Sequence, residues 1–322
     1  MSRRVVEVTT GSRLHFGLMS FGRSDVRQFG GVGVMIDTPA VKLRLSAAAD
    51  LQVTGPSAAQ TLRYVESVAQ AEWFGRRPRC HIEVLSMPTP HVGLGSGTQL
   101  ALAVVAGLNA LYDRTPLTAE QLAGTVARGR RSAVGLYGFL QGGLIFEAGK
   151  LAEDEISPLV SRVPIPEPWR FLLVRPTDGE GLSGDAERVA FDRVPPVPAD
   201  ATARMCHEAA EVLVPAATSA DFQRFSESLS RFGREAGSCF APLQGGIYAS
   251  GRISQVADAL AALGIVGVGQ SSWGPTVFAM LPNQQAAENA LRQFAGSEAA
   301  RAADCLIARP MNRPAHIEVR SE

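Results

Sequence analysis

The ten residues Pro90-His91-Val92-Gly93-Leu94-Gly95-Ser96-Gly97-Thr98-Gln99 form the stretch best suited to chemistry. Three alternating glycines remove Cβ atoms where the backbone has to turn tightly. Their amides, the Ser96 and Thr98 hydroxyls and the unpaired N–H groups of a helix that begins here can converge on a phosphate. A tight turn leading into a capped helix accounts for the same residues without any chemistry, so the loop alone leaves both readings open. It is not a Walker A loop, because no Gly-Lys-Ser/Thr follows. It is not a dinucleotide fingerprint either, because the spacing is G-x-G-x-G after a run of prolines.

Four other segments carry reactive or anion-binding residue types. In Arg13-Leu14-His15-Phe16-Gly17-Leu18, Arg13 offers a planar fork for a phosphate or carboxylate, and His15 is either a proton carrier near neutral pH or a hydrogen-bonded structural histidine. Arg128-Gly129-Arg130-Arg131-Ser132-Ala133-Val134-Gly135 joins a helix end to a strand; Arg130, Arg131 and Ser132 are a second anion site or a solvated cationic helix end. In Gly181-Leu182-Ser183-Gly184-Asp185-Ala186-Glu187-Arg188, Asp185 and Glu187 are spaced to hold Mg²⁺, directly or through water, or to begin a capped helix. Gly267 to Thr276 brings Gln270, Ser271, Ser272 and Gly274 as anion donors, with Trp273 as a stacking face or a core residue beside a turn. Phe29–Val34 reads as a glycine turn, and Gln244–Tyr248 as a loop without chemistry.

The elements that must position these groups follow from periodicity. Val5–Thr10, Val41–Ser46, His81–Leu85, Gly142–Glu147, Phe171–Val174, Thr276–Leu281 and His316–Val319 read as strands. Helices are expected over Ala58–Phe74, Thr98–Tyr112, Thr118–Arg130, Ala201–Leu213, Ala220–Ala236 and Ile253–Leu263. In the second of these, Leu100, Val104, Leu108 and Leu111 recur at helical spacing. The polar, proline-rich passage Asp154–Pro168 is the candidate linker. It divides the chain into units of 1–155 and 165–322, and strands and helices mix without regular βαβ alternation, which makes the class α+β.

Composition narrows the function classes. With 322 residues, 46% hydrophobic and 19% charged, there is ample apolar material for two cores. The formal net charge is zero, which argues against nucleic acid as a partner. Arginines heavily outnumber lysines, a bias that suits anionic substrates or reflects a GC-rich genome. Cys80, Cys206, Cys239 and Cys305 are scattered, without zinc spacing, as expected of a reduced cytoplasmic protein. The start of the chain lacks the apolar stretch of a signal peptide. The longest apolar run, Leu100–Leu111, is too short to span a bilayer, so no membrane partner is expected.

Taken in order, the motifs resemble a known family. Gly93-Leu94-Gly95-Ser96 is similar to the central motif of GHMP kinases, written GLGSSA, which holds nucleotide phosphates, but the match departs at Gly97-Thr98-Gln99. GLGSGTQLALA, RLHFGL, RGRRSAVG and GQSSWGPT together resemble the β-ribofuranosylaminobenzene 5'-phosphate synthases of the same superfold, and the likeness runs from Arg13 to about Leu281. It implies a two-domain fold, with an N-terminal half like ribosomal protein S5 domain 2 and a ferredoxin-like C-terminal half. It implies a decarboxylating transfer from phosphoribosyl pyrophosphate to 4-hydroxybenzoate or 4-aminobenzoate, with Mg²⁺ as cofactor and a homodimer by family habit. It places the pyrophosphate on Gly93–Gln99 and Mg²⁺ on Asp185 and Glu187. The rest of the substrate pocket falls to the Arg130–Ser132 and Gln270–Gly274 segments, the carboxylate to Arg13 or to one of Arg130 and Arg131, and proton transfer to His15 or His91. The rival readings are an ATP-dependent small-molecule kinase, weakened because Ser132–Gly143 contains no Asp or Glu, and a phosphoribosyl pyrophosphate-binding protein without activity.

Overall fold

The computed structural model describes residues 4–321 except 128, 130, 178–188 and 192. Two long strands, β1 (Arg4–Ser20) and β2 (Phe29–Ala47), form the frame of the first sheet. β2 is long enough to serve two neighbours: its second half pairs with β4 (Cys80–Ser86), and Gly31–Val34 pair with β5 (Leu144–Glu147). The short β3 (Gln52–Thr54) lies beyond β4, and β6 (Leu159–Val163) lies beyond β5. Helices α1 (Ala58–Gln70) and α2 (Ser96–Leu111) pack on this sheet, with the short α3 (Ala119–Thr125) against α2. α2 is apolar almost all round and buried accordingly, Leu100 to Val105 having no exposed surface. It lies so close to the sheet that a Cβ on Gly107 would sit 2.7 Å from a Leu45 methyl.

The second sheet is antiparallel, in the order β10 (Ala303–Ala308), β7 (Arg170–Pro176), β9 (Val277–Leu281), β8 (Val268–Gln270). A helix begins at α5 (Ala199–His207), passes through a π-helical turn at Glu208–Leu213 and ends as α6 (Val214–Thr218). The 23-residue α7 (Phe222–Gln244) follows, then α8 (Gly251–Ala261) and α9 (Gln284–Ala295). One apolar cluster lies between α1, α2 and the first sheet, and another between α8, α9 and the second. A third joins the halves, with Leu14, Phe16, Val32 and Val34 of the first sheet packed with Phe171, Phe225, Phe232 and Phe278 of the second half.

The structure corrects several sequence readings. RLHFGL does not follow the first strand but lies inside β1, and Phe29–Val34 is not a turn but the start of β2. Its glycines are needed for close approach: a Cβ on Gly33 would meet the Leu14 carbonyl oxygen at 2.4 Å. Ser132–Gly143 contains a helix, α4 (Val134–Gln141), hidden because two of its eight residues are glycines and no side chain caps it. The candidate linker holds β6, whose flanking prolines lie outside the strand. The unit expected over 165–322 is crossed by β11 (His316–Ser321), which returns to the first sheet and pairs antiparallel with Arg4–Thr9.

Candidate active site

A cavity of about 320 Å³ opens between the two halves. Its charged lining residues are Arg13, Arg131 and Arg234, and no Asp or Glu is among the described residues that line it. Phe191, Phe240, Trp273 and Tyr248 give the same cavity an aromatic lining. Trp273 meets Phe240 and Phe191 edge-on, with centroids 4.8 and 5.6 Å apart, and the Arg131 guanidinium sits 4.5 Å from the Phe191 ring centre. Both the cation–π contact and the T-shaped ring pairs are favourable geometries.

β1 delivers Arg13 and His15 to this cavity, and a register shift between His15 and Gly17 marks a β-bulge there. Such bulges re-aim side chains at the rim of a site. His15 is 4% exposed, and its Nε2 lies 3.0 Å from the Ser132 hydroxyl. That hydroxyl lies 2.6 Å from Glu147 Oε1, and the Ala133 amide donates to Oε2 at 2.7 Å. Glu147 ends β5 and is fully buried. Burial, then the charge of Arg13, hold the His15 imidazole well below its ordinary pKa, so the ring is neutral at physiological pH. Burial raises the Glu147 carboxyl, opposed by hydrogen bonds from Ser132 and Ala133.

The glycine loop is stitched to both halves. The Arg13 amide donates to the Leu94 carbonyl at 2.9 Å. The Ser271 hydroxyl donates to the Gly93 carbonyl at 2.7 Å and accepts from the His15 amide at 3.0 Å, and the Thr276 hydroxyl donates to the Val92 carbonyl at 2.6 Å. Gly93 and Gly95 have φ of 84° and 68°, the left-handed region that favours glycine. Gly95 is the residue from which α2 starts. Thr98, in the first turn of α2, lies at the cavity wall, while its amide is taken by the Gly95 carbonyl at 3.0 Å.

The residues singled out from sequence therefore divide. Arg13, His15, Thr98, Arg131, Ser132, Gln270, Ser272 and Trp273 meet at the cavity. His91 is exposed away from it. Gln99 is turned into the core, where its amide accepts from Thr10 and donates to the Gly135 carbonyl. Ser271 is buried and holds the loop instead of facing the cavity. The Gln270 side chain braces its own turn, accepting from the Ala249 amide and donating to the Ser272 carbonyl. Leu94 and Ser96 are buried, and Gly274 forms the turn against Gly93. Arg130, Asp185 and Glu187 lie outside the described residues. Among the described residues no three of His, Cys, Asp and Glu come together, and the charged groups of the described cavity lining are arginines. Nor is any helix among the described residues long and apolar enough to cross a membrane.

Sequence reasoning missed Glu147, Phe191, Arg234 and Phe240. Arg234 and Phe240 sit on α7 beside Gly233, Ala236 and Gly237, small residues that let the helix pass close to β1, where a Cβ on Gly17 would come within 2.3 Å of the Ala236 methyl. Small residues at i, i+3 and i+4 followed by an aromatic were the available signal for this face.

Comparison with known proteins agrees with this layout. The GHMP kinases N terminal domain matches residues 59–142, and the GHMP kinases C terminal domain matches 213–299. The chain is 30% identical over 293 residues to the beta-ribofuranosylphenol 5'-phosphate synthase of Methanothermobacter thermautotrophicus, covering 85% of this chain and 88% of that protein. It is also 30% identical over 331 residues to the protein of the same name in Archaeoglobus fulgidus, covering 98% and 100%. Among solved structures, mevalonate pyrophosphate decarboxylase from Streptococcus pyogenes superposes with a TM-score of 0.67 over 98% of this chain and 99% of that one, at 13% identity, a likeness of fold. The sequence expectation of a two-domain α+β GHMP fold holds, and the chain belongs to the beta-ribofuranosylphenol 5'-phosphate synthase family of enzymes.

Proposed function

We propose that the chain joins phosphoribosyl pyrophosphate to 4-hydroxybenzoate, releasing pyrophosphate and CO₂ and forming a C-riboside 5'-phosphate for a tetrahydromethanopterin-type cofactor. The observation that carries this reading is a cavity whose described lining brings Arg13, Arg131 and Arg234 together with Phe191, Phe240, Trp273 and Tyr248. That combination suits a phosphorylated sugar and an aromatic acid held together. The relatives' name contains a phenol, which favours the hydroxy acid over 4-aminobenzoate as acceptor.

Loss of pyrophosphate from C1 of the ribose builds positive character on the sugar and negative charge on the leaving group. The first-turn amides of α2, with Thr98 and Arg13 beside them, stabilise that leaving charge; removing one such pre-aimed donor commonly costs about 3–4 kcal/mol of barrier. The aromatic wall holds the ring over C1, a positioning contribution, and an arginine of the cavity anchors the carboxylate before it leaves as CO₂.

The test is ³¹P NMR of phosphoribosyl pyrophosphate incubated with enzyme, Mg²⁺ and either aromatic acid. Pyrophosphate release that depends on 4-hydroxybenzoate supports the proposal. ADP formed from ATP with a hydroxyl acceptor, and no pyrophosphate, would replace it with a kinase.

A further inference from the structure

A buried carboxylate stands behind the cavity with no role in the chemistry above. Glu147 ends a strand whose other residues, Leu144 to Phe146, are apolar core. Among the described residues its partners are the hydroxyls of Ser132 and Ser157 and the amides of Ala133 and Val134, and none of them is a cation. Placing a carboxyl there is costly, and a well-packed apolar residue would serve stability at least as well. What it touches is Ser132, and Ser132 touches His15.

Resting on the function proposed above, we propose that Glu147, acting through Ser132, fixes His15 as its Nε2–H tautomer and balances the charge His15 gains on taking the para-hydroxyl proton of the aromatic acceptor. His15 is the catalytic residue of this relay; Ser132 and Glu147 are positioning residues.

The geometry sets the direction of each bond. A serine hydroxyl has one proton to give. Of its two side-chain neighbours, the carboxylate at 2.6 Å is closer than the imidazole at 3.0 Å and is the stronger acceptor. Ser132 therefore donates to Glu147 and accepts, from the Val134 amide at 3.3 Å and from His15. His15 must then carry its proton on Nε2, which makes Nδ1 the basic nitrogen of a ring that lines the cavity. A third group that orients a histidine through its far nitrogen is the general logic of nucleophile–base–orienter triads.

The proton has a place in the reaction. As the phenolic O–H bond breaks, its proton moves to His15 Nδ1 and its electron pair flows into the ring. The ring carbon bearing the carboxylate bonds to C1 of the ribose, and the C1–O bond breaks with its pair leaving on pyrophosphate. The ring-to-carboxylate bond then breaks, CO₂ departs, and the pair restores the aromatic ring and a phenolate, which recovers the proton from His15. No oxidant, reductant or net proton is consumed. The phenol becomes strongly acidic as the ring attacks, so a weakly basic imidazole suffices, and its low basicity keeps it unprotonated beforehand. Arg13 on the same strand opposes the imidazolium, and Arg131 and Arg234 line the same cavity. An ionised Glu147, the form that the hydrogen bonds from Ser132 and Ala133 favour against burial, counters this field from behind.

The test uses the intact chain with ¹⁵N-labelled histidine and the variants E147Q and S132A, the His15 signal being identified by its loss in H15Q. Wild type should show His15 protonated on Nε2. In E147Q the new amide donates to Ser132, Ser132 turns to donate to His15, and the ring should switch to the Nδ1–H form. With phosphoribosyl pyrophosphate and 4-hydroxybenzoate, kcat should fall at least about 100-fold in E147Q, the general scale of acid–base assistance, while KM for phosphoribosyl pyrophosphate stays within about three-fold. The acidic limb of the pH profile should move to lower pH, because the counter-charge to the imidazolium is gone. If E147Q does not fold, S132A cuts the same link and its kcat is held to the same threshold. An Nδ1–H ring in wild type, or unchanged kcat and acidic limb in the variants, overturns the relay while leaving the function intact. Failure of wild type to release pyrophosphate with either acid overturns the function and the proton step with it.

Discussion

The two walls of the cavity are built on different physical terms. On the N-terminal side, His15 and Glu147 come from strands, and Ser132 is fixed between them by contacts of 2.6 and 3.0 Å. On the C-terminal side, Phe191, Phe240 and Trp273 meet through ring edges. Directional hydrogen bonds between strand-borne groups locate an atom narrowly, whereas ring contacts supply buried area with tolerance for small shifts. Proton handling thus belongs to the wall that locates, and recognition of the acceptor ring to the wall that adapts. The seam between them is the contact of the glycine loop with the Ser271–Gly274 turn.

Breaking that seam is expected to have the largest effect. A Cβ at Gly93 would lie 2.4 Å from the Ser271 carbonyl oxygen, at a φ of 84°. The strained backbone costs about 1–3 kcal/mol and the forced contact about 1–3 more, so Gly93→Ala should lose about 2–6 kcal/mol in urea unfolding. Gly245, at φ 79° with nothing within 4 Å of its Cβ position, is the matched control. Gly245→Ala carries only the conformational part and should lose about 1–3 kcal/mol. Equal losses would mean that the seam is not a tight contact.

Next in size is the arginine that spans both walls. Arg131 lines the cavity and stacks on Phe191. Hydrogen bonds to charged groups are worth about 1.5–3 kcal/mol, so Arg131→Ala should raise KM for one of the two anionic substrates by about 10- to 100-fold in steady-state assays. Arg131→Lys should recover little, because a point charge replaces neither the fork nor the stack. Full recovery by lysine would reduce the residue to a charge.

How far the site was legible in the sequence follows the same division. Alternating glycines before an apolar helix announced the loop and α2, because a local backbone requirement leaves a local residue signature. Arg13, His15, Arg131, Ser132 and Trp273 were legible from residue type within motifs. Glu147 was not, since it stands at the end of a strand, fifteen residues from Ser132, and meets it only through the pairing of β5 with β2. Arg234 and Phe240 were not, because a side chain on an amphipathic helix shows its partner only once the helix is docked. Gln99 looked like a loop ligand, but its amide is satisfied by Thr10 and Gly135, a long-range match that spacing cannot display. The return of β11 to the first sheet was hidden for the same reason: strand pairing across the whole chain leaves no local mark.

The locating wall should also respond to acid. In the folded state the His15 pKa is depressed by burial and by Arg13, so below its unfolded value of about 6.5 the unfolded chain binds a proton that the folded chain refuses. Stability therefore falls as pH drops from about 6.5 toward the folded value, by about 1.4 kcal/mol per pH unit for one such group. Glu147 acts in the opposite direction. Its raised pKa means that the folded state holds its proton longer, so its stabilising share is present at low pH and is lost as pH rises from about 4.5 to the folded value. Denaturant titrations from pH 7 to 5 should show His15→Gln losing less stability than wild type over that range. Parallel curves would mean that the imidazole titrates freely.

The smallest effect tests whether the adaptable wall adapts. Trp273 touches Phe191 and Phe240 by its edges, at 83° and 68°, and an edge contact of this kind is worth about 0.5–1.5 kcal/mol beyond area. Trp273→Phe keeps an aromatic face while giving up part of the area, so KM for the aromatic acid should rise only about two- to ten-fold, with kcat and KM for phosphoribosyl pyrophosphate nearly unchanged. Trp273→Leu removes the ring and should raise the same KM further, again sparing the sugar donor. Measured side by side, the two variants separate ring stacking from simple bulk. A loss of kcat in Trp273→Phe comparable to that in E147Q would mean that this wall locates the acceptor as narrowly as the hydrogen-bonded one, and the division of labour between the walls would fall.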